Sequence, residues 1–165
     1  MTAVADSSPL IILTKLGCIL FLPRFFVRLY ISVEVHHEIV IAGAGLPGAS
    51  ETAKAKWVEV KPLQNQAALA SSQRKYALGP GEMSTILLAK ELSVSPVLLD
   101  DYKARRLAKA EGLEILGSVG LLEAFYHQGY LSDLRAAFQQ LLAHNVYIDQ
   151  RLLNRRLQAL GFPSL

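Results

Sequence analysis

Short, nearly uninterrupted apolar runs alternate along this chain with longer segments whose apolar residues recur every three or four positions. The runs at Thr2 to Ala5, Arg28 to Ser32, Trp57 to Val60, Pro96 to Leu99 and Glu114 to Leu116 predict strands. Their lack of strict polar alternation predicts burial on both faces, as in a parallel sheet. Between them the periodicity turns helical. Ser8 is a good N-cap and Pro9 suits the first helical position, so the first helix is expected to run to about Leu16, where Gly17 closes it. A short helical piece is expected at Ile19 to Phe26, and a helix carries His36, His37 and Glu38. A polar stretch with Gln64, Gln66, Ser71, Ser72 and Gln73 reads as a loop or surface helix. Gly79-Pro80-Gly81 introduces a helix through Leu92, Asp101 to Glu111 is helical, and three helices follow at about Val119 to His127, Ser132 to His144 and Arg151 to Leu160. Strands alternating with helices at this spacing predict an α/β fold with a parallel sheet and helices on both faces.

Composition agrees with that class. With 165 residues, 52% hydrophobic and 19% charged, the chain is one domain's worth and can bury a core without disulfides. Cys18, the single cysteine, lies among Leu16, Ile19 and Leu20 and is expected to be a buried thiol. The apolar stretch from Pro9 to Val35 is interrupted by Lys15, Arg24 and Arg28, and no uncharged run reaches the roughly 18 residues of a membrane span. The N-terminus has no basic segment of the signal-peptide type, and a cytoplasmic location is the expectation.

Chemistry concentrates where strands give way to helices. Asp6 follows the first run, Asp100 and Asp101 follow the fourth, Glu82 opens a helix after Gly79-Pro80-Gly81, and Glu38 follows the second strand. In open α/β sheets the ligand crevice lies outside the carboxyl ends of the strands. Each acid alone has a structural explanation as a cap or a first-turn residue. Together they would raise one another's pKa unless a cation neutralised them, and oxygen-only ligands select Mg²⁺ or Mn²⁺ over zinc. His36 and His37 are adjacent, face different directions on a helix, and make poor joint ligands.

Two other features carry competing readings. Gly43-Ala44-Gly45-Leu46-Pro47-Gly48 matches the dinucleotide fingerprint, provided that Glu38 to Ile41 is a strand; the alternative is a Pro-Gly turn. The net charge of +3 is modest, but Lys103, Arg105, Arg106 and Lys109 cluster after Asp101, with Arg135, Arg151, Arg155 and Arg156 near the C-terminus. Such clusters allow a polyanionic partner, or form a solvated helix face in which Arg105 pairs with Asp101.

Taken in order, Val4-Ala5-Asp6-Ser7-Ser8-Pro9-Leu10-Ile11, Val35-His36-His37-Glu38, Leu78-Gly79-Pro80-Gly81-Glu82, Leu98-Leu99-Asp100-Asp101 with Ala104-Arg105, and Leu116-Gly117-Ser118-Val119-Gly120-Leu121-Leu122 resemble the PIN-like nucleases. The branch they look most similar to is the prokaryotic one related to VapC-type toxins. The resemblance covers about Met1 to Asp149, which sets a nuclease domain at 1–149 and a helical extension at 150–165 packed on it. It implies a three-layer α/β/α fold and a metal-dependent endoribonuclease, the toxin of a type II toxin–antitoxin pair. The implied acids are Asp6, Glu38, Glu82 and either Asp100 or Asp101, with Ser7 and Ser118 in support. Asp6 and one of Asp100 or Asp101 would anchor Mg²⁺ or Mn²⁺, Glu82 would complete the site, and Glu38 would hold a second ion or orient the attacking water. Lys103, Arg106 and Lys109 would hold flanking RNA phosphates. The implied partners are an RNA substrate, an antitoxin protein and a second copy of the chain. The stripe of Leu152, Leu153, Leu157 and Leu160 offers a surface for association or for packing on the domain itself. A non-catalytic interaction protein of the same fold remains the alternative.

Overall fold

The computed structural model describes residues 1–144, 146 and 148–165. Five parallel strands form one sheet in the order β3-β2-β1-β4-β5: β1 (Thr2–Ala5), β2 (Arg28–Ser32), β3 (Val58–Lys61), β4 (Val97–Leu98) and β5 (Ile115–Leu116). Every pairing is parallel, with Ala3 opposite Leu29, Ala5 opposite Leu98, Tyr30 opposite Glu59 and Leu98 opposite Leu116. The order reverses at β1, so the crossover chains diverge on either side of the β1–β4 pair. A crevice is expected at the carboxyl ends of those two strands.

Side-chain alternation sends successive residues to opposite faces. Ala3, Ala5, Leu29, Ile31 and Leu98 join the core beneath α1 (Ser7–Lys15), α2 (Leu22–Phe25), α3 (Val33–His36), α8 (Ser118–His127), α9 (Leu134–Ala143) and α10 (Gln150–Ala159). Val4, Val97 and Leu99 face the other core, which α5 (Gln66–Tyr76), α6 (Pro80–Leu92) and α7 (Tyr102–Ala110) complete. The result is the three-layer α/β/α arrangement of the PIN-like fold. A 3₁₀ turn at Ile19–Phe21 precedes α2, and α4 (Ala49–Lys54) leads into β3.

Several local expectations shift. The first helix begins at Ser7, not near Pro9, and Asp6 occupies its N-cap position with extended backbone but without a side-chain capping bond. After α3 the helix widens into a π segment, His37–Ala42. The residues before the glycine motif are therefore helical, and the strand that a dinucleotide fingerprint requires is missing there. Gly43 ends the π segment, where a Cβ would stand 2.5 Å from the carbonyl oxygen of Ile39, and Gly48 takes φ +99° to start α4. The motif is a turn. Of the two readings of the polar stretch at 64–73, the helix holds: most of it lies in α5.

Cys18 is buried, as expected. No single helix is long and apolar enough to cross a membrane among the described residues; α1 and the segment Ile19–Phe25 pass that test only as a pair bent by 114°. In α10, Leu153 and Leu157 are fully buried in the first core, so half of the C-terminal leucine stripe packs on the chain's own domain. Arg156 secures that helix through a two-pronged ion pair with the buried Glu123 of α8, with Nε donating to Oε1 at 2.6 Å.

Candidate active site

Asp6 and Asp100 reach the same crevice from neighbouring strands. The backbone N–H of Asp6 donates to the carbonyl of Leu98 at 3.0 Å, which continues the β1–β4 ladder one step past the strand end. That step puts Asp6 beside the start of the 99–100 loop. Asp6 is 2% exposed, and its Oδ1 has no hydrogen-bond partner. A buried polar atom without a partner costs about 1–3 kcal/mol, so its persistence asks for an explanation.

The other acids surround it, each held by a different local device. Asp100 accepts from the backbone N–H of Ser118 at 2.7 Å and from its Oγ at 2.6 Å, so the N-terminus of α8 fixes both carboxylate oxygens. Gly117 makes room for this: a Cβ there would lie 3.1 Å from Asp100 Oδ1 and would collide with the Arg105 guanidinium. Glu38 projects from the π segment and its Oε2 accepts from Ser7 Oγ at 2.9 Å. Gly81 lies directly against it, since a Cβ at that position would meet both Glu38 carboxylate oxygens at 2.6 Å. Glu82 sits in the first turn of α6 and folds back over Gly79, where a Cβ would stand 2.6 Å from its Oε2. The α6 N-terminus is pinned in turn by Ser84 and Thr85, whose hydroxyls donate to the Gly81 carbonyl at 3.0 and 2.8 Å, and by a 2.7 Å hydroxyl contact between Ser84 and Ser32.

The electrostatics follow from this placement. Burial pushes the Asp6 carboxyl up from 3.8 to about 7; the N–H of Ser7 opposes that shift, while the charges of Glu82, Glu38 and Asp100 add to it. All three of the other crevice acids therefore act on Asp6.

The two neighbouring aspartates, between which the fourth acid was left open, have different surroundings. Asp101 is exposed and caps α7, its side chain accepting from the N–H of Ala104 at 2.8 Å, while Asp100 faces the crevice. The expected Arg105–Asp101 pair is not formed among the described residues; Arg105 Nη1 donates instead to the Leu99 carbonyl at 3.0 Å. The basic cluster divides. Arg106 and Lys109 line a cleft of about 620 Å³ that opens beside Asp100, whereas Lys103 Nζ donates to the carbonyl of Ala77, 3.3 Å away at the end of α5. Sequence reasoning named Gly81 and Gly117 only as parts of motifs and missed that their absent side chains admit Glu38 and Asp100. It also passed over the π widening that carries Glu38, a feature often found at functional sites.

Whether these residues fit a hard divalent cation can be judged from the donors. Among the described residues no three His, Cys, Asp or Glu side chains come together closely enough to hold a metal ion between them. Mg²⁺ does not require such a group, because it keeps several waters and is held by one or two carboxylates. The partnerless Asp6 Oδ1, the oxygen-only donor set and three further acids acting on Asp6 fit such an ion.

A family model described as a PIN domain matches residues 2–161, crossing without a break from the expected domain at 1–149 into α10. No curated protein matches the chain.

Proposed function

Because this chain belongs to the PIN domain family, we propose that it is a metal-dependent endoribonuclease that hydrolyses RNA phosphodiester bonds in the crevice between β1 and β4. The observation that carries the reading is the buried, partnerless Oδ1 of Asp6 at the point where the strand order reverses, with Glu38, Glu82 and Asp100 acting on it. A crevice of acids repels RNA phosphates, and it suits them only when a cation is shared between carboxylate and phosphate.

Asp6 and Asp100 would hold Mg²⁺ or Mn²⁺, and Glu82 would bracket it from the start of α6. When bound, the ion supplies charge to polarise the scissile phosphate and lowers the pKa of a coordinated water. Ser118 keeps both oxygens of Asp100 oriented, so that carboxylate needs no rearrangement when the site fills. Glu38, kept in place by Ser7 and given room by Gly81, is positioned to accept a proton from the attacking water. Ser7 and Ser118 are positioning residues in this scheme. No side chain needs to act as a nucleophile. Arg106 and Lys109 offer sequence-independent contacts to flanking phosphates.

The finer reading rests on the resemblance to VapC-type relatives: the toxin of a type II toxin–antitoxin pair, cytoplasmic, homodimeric and silenced by an antitoxin segment that covers the crevice. Incubating the protein with total cellular RNA in Mg²⁺, in Mn²⁺ and in chelator tests the activity. Discrete cleavage products in either metal and none in chelator support the proposal; intact RNA in both metals, or the same products in chelator, count against it.

A further inference from the structure

The cleft beside Asp100 has a volume of about 620 Å³, within the range of small-molecule sites. It lies along the outer edge of β5, between α7, the start of α8 and α10. Its floor is apolar, with Val119, Ile148 and Leu152 among the lining residues, and its α7 side carries Tyr102, Arg106 and Lys109. Tyr102 is 71% exposed, so a face of its ring is open to a ligand, and the Arg106 guanidinium lies 5.9 Å from its centroid. The cleft's other two cations are committed, Arg105 to the Leu99 carbonyl and Arg156 to Glu123. Arg106 and Lys109 form no ion pair among the described residues.

An apolar floor, an exposed aromatic ring and two free cations, opening directly beside a crevice acid, match the chemistry of one unstacked nucleotide. Proteins that bind single-stranded RNA stack splayed bases on aromatic side chains and hold the backbone with Arg and Lys. The carboxylates of Asp100 and Asp149 also line the cleft. They would repel a phosphate there and so confine the backbone to the α7 side.

We propose that this cleft is a nucleotide subsite for the RNA substrate, in which the base next to the scissile phosphate stacks on Tyr102 over the Val119–Leu152 floor while Arg106 and Lys109 hold its phosphate. This rests on the nuclease reading of the crevice, but it is tested without cleavage. Binding of the full-length protein to a fluorescent single-stranded oligoribonucleotide is measured by anisotropy in chelator, beside an abasic analogue of the same length and charge. Tyr102→Ala weakens binding of the base-bearing strand about tenfold, the scale of one lost stacking contact, and leaves the abasic strand unchanged. Leu152→Glu, at a position 37% exposed, abolishes the preference for bases. Arg106→Ala with Lys109→Ala weakens both strands. Lys56→Ala, which removes a cation just before β3 at the opposite end of the sheet, changes neither. Wild-type binding by both Tyr102→Ala and Leu152→Glu, each shown folded by circular dichroism, overturns the proposal and leaves the cleft to a protein segment. Failure of the wild type to distinguish the two strands overturns it equally. Loss of base preference in these variants, in a protein that cleaves no RNA, would uphold the subsite while removing the nuclease reading.

Discussion

Replacing Asp6 with Asn should make the protein more stable at neutral and alkaline pH and no more stable in acid. The Asp6 carboxyl titrates near 7 in the folded chain, against 3.8 as its ordinary value. Between those two pH values the folded state holds a proton that the unfolded state has released, so stability falls as pH rises through the window. At about 1.4 kcal/mol per pH unit, ionising Asp6 costs the fold up to about 4 kcal/mol above pH 7. Water drawn into the crevice reduces that figure, so about half is a fair expectation. Asn keeps an acceptor for the Ser7 N–H and carries no charge. For a domain of this size each kcal/mol moves Tm by about 2–4 °C, which predicts a gain of about 4–8 °C at pH 8 that shrinks toward zero at pH 4. Thermal melts of both proteins across that range, in chelator, provide the assay. Millimolar Mg²⁺ should raise the Tm of the wild type more than that of the variant, because only the wild type keeps the carboxylate that binds the ion. A difference independent of pH, or a wild type more stable than the variant at pH 8, would refute the electrostatic reasoning.

Other substitutions separate the remaining roles. Asp101→Ala removes the α7 cap and should cost about 1 kcal/mol in chemical denaturation while RNA cleavage stays within about twofold; Asp100→Asn should lower cleavage about a hundredfold or more with little loss of stability. Gly81→Ala drives a methyl group into Glu38 and should reduce cleavage at least about tenfold while circular dichroism stays native. Gly45→Ala, at φ +81° with open space around it, should lower stability by about 1 kcal/mol through backbone strain alone, with cleavage unchanged.

Much of the fold was legible because a parallel sheet buried on both faces writes its strands as short apolar runs. β1 and β2 stand where those runs are, and the glycine and proline signals mark the ends of α1 and the start of α6. The crevice was legible for the same reason: Asp6 and Asp100 come just after apolar runs, and parallel pairing sets the carboxyl ends of those strands side by side. Local signals failed where tertiary contacts decide. Whether Asp100 or Asp101 enters the crevice depends on the Ser118 N–H and hydroxyl, which are 18 residues distant in sequence from Asp100. The π widening at His37–Ala42 leaves no mark in composition. The cleft beside Asp100 combines α7, β5, α8 and α10, so no local window contains it. Conversely, the glycine motif was a local match whose meaning depended on a strand that the chain builds as a helix.

The central claim is that Asp6 serves chemistry rather than the fold, and the cleavage rate of Asp6→Asn beside the wild type in Mg²⁺ or Mn²⁺ tests it most directly. The account predicts a variant that melts at a higher temperature than the wild type at pH 8 and leaves RNA intact under conditions where the wild type cuts it. A folded Asp6→Asn protein that cleaves at the wild-type rate would contradict it.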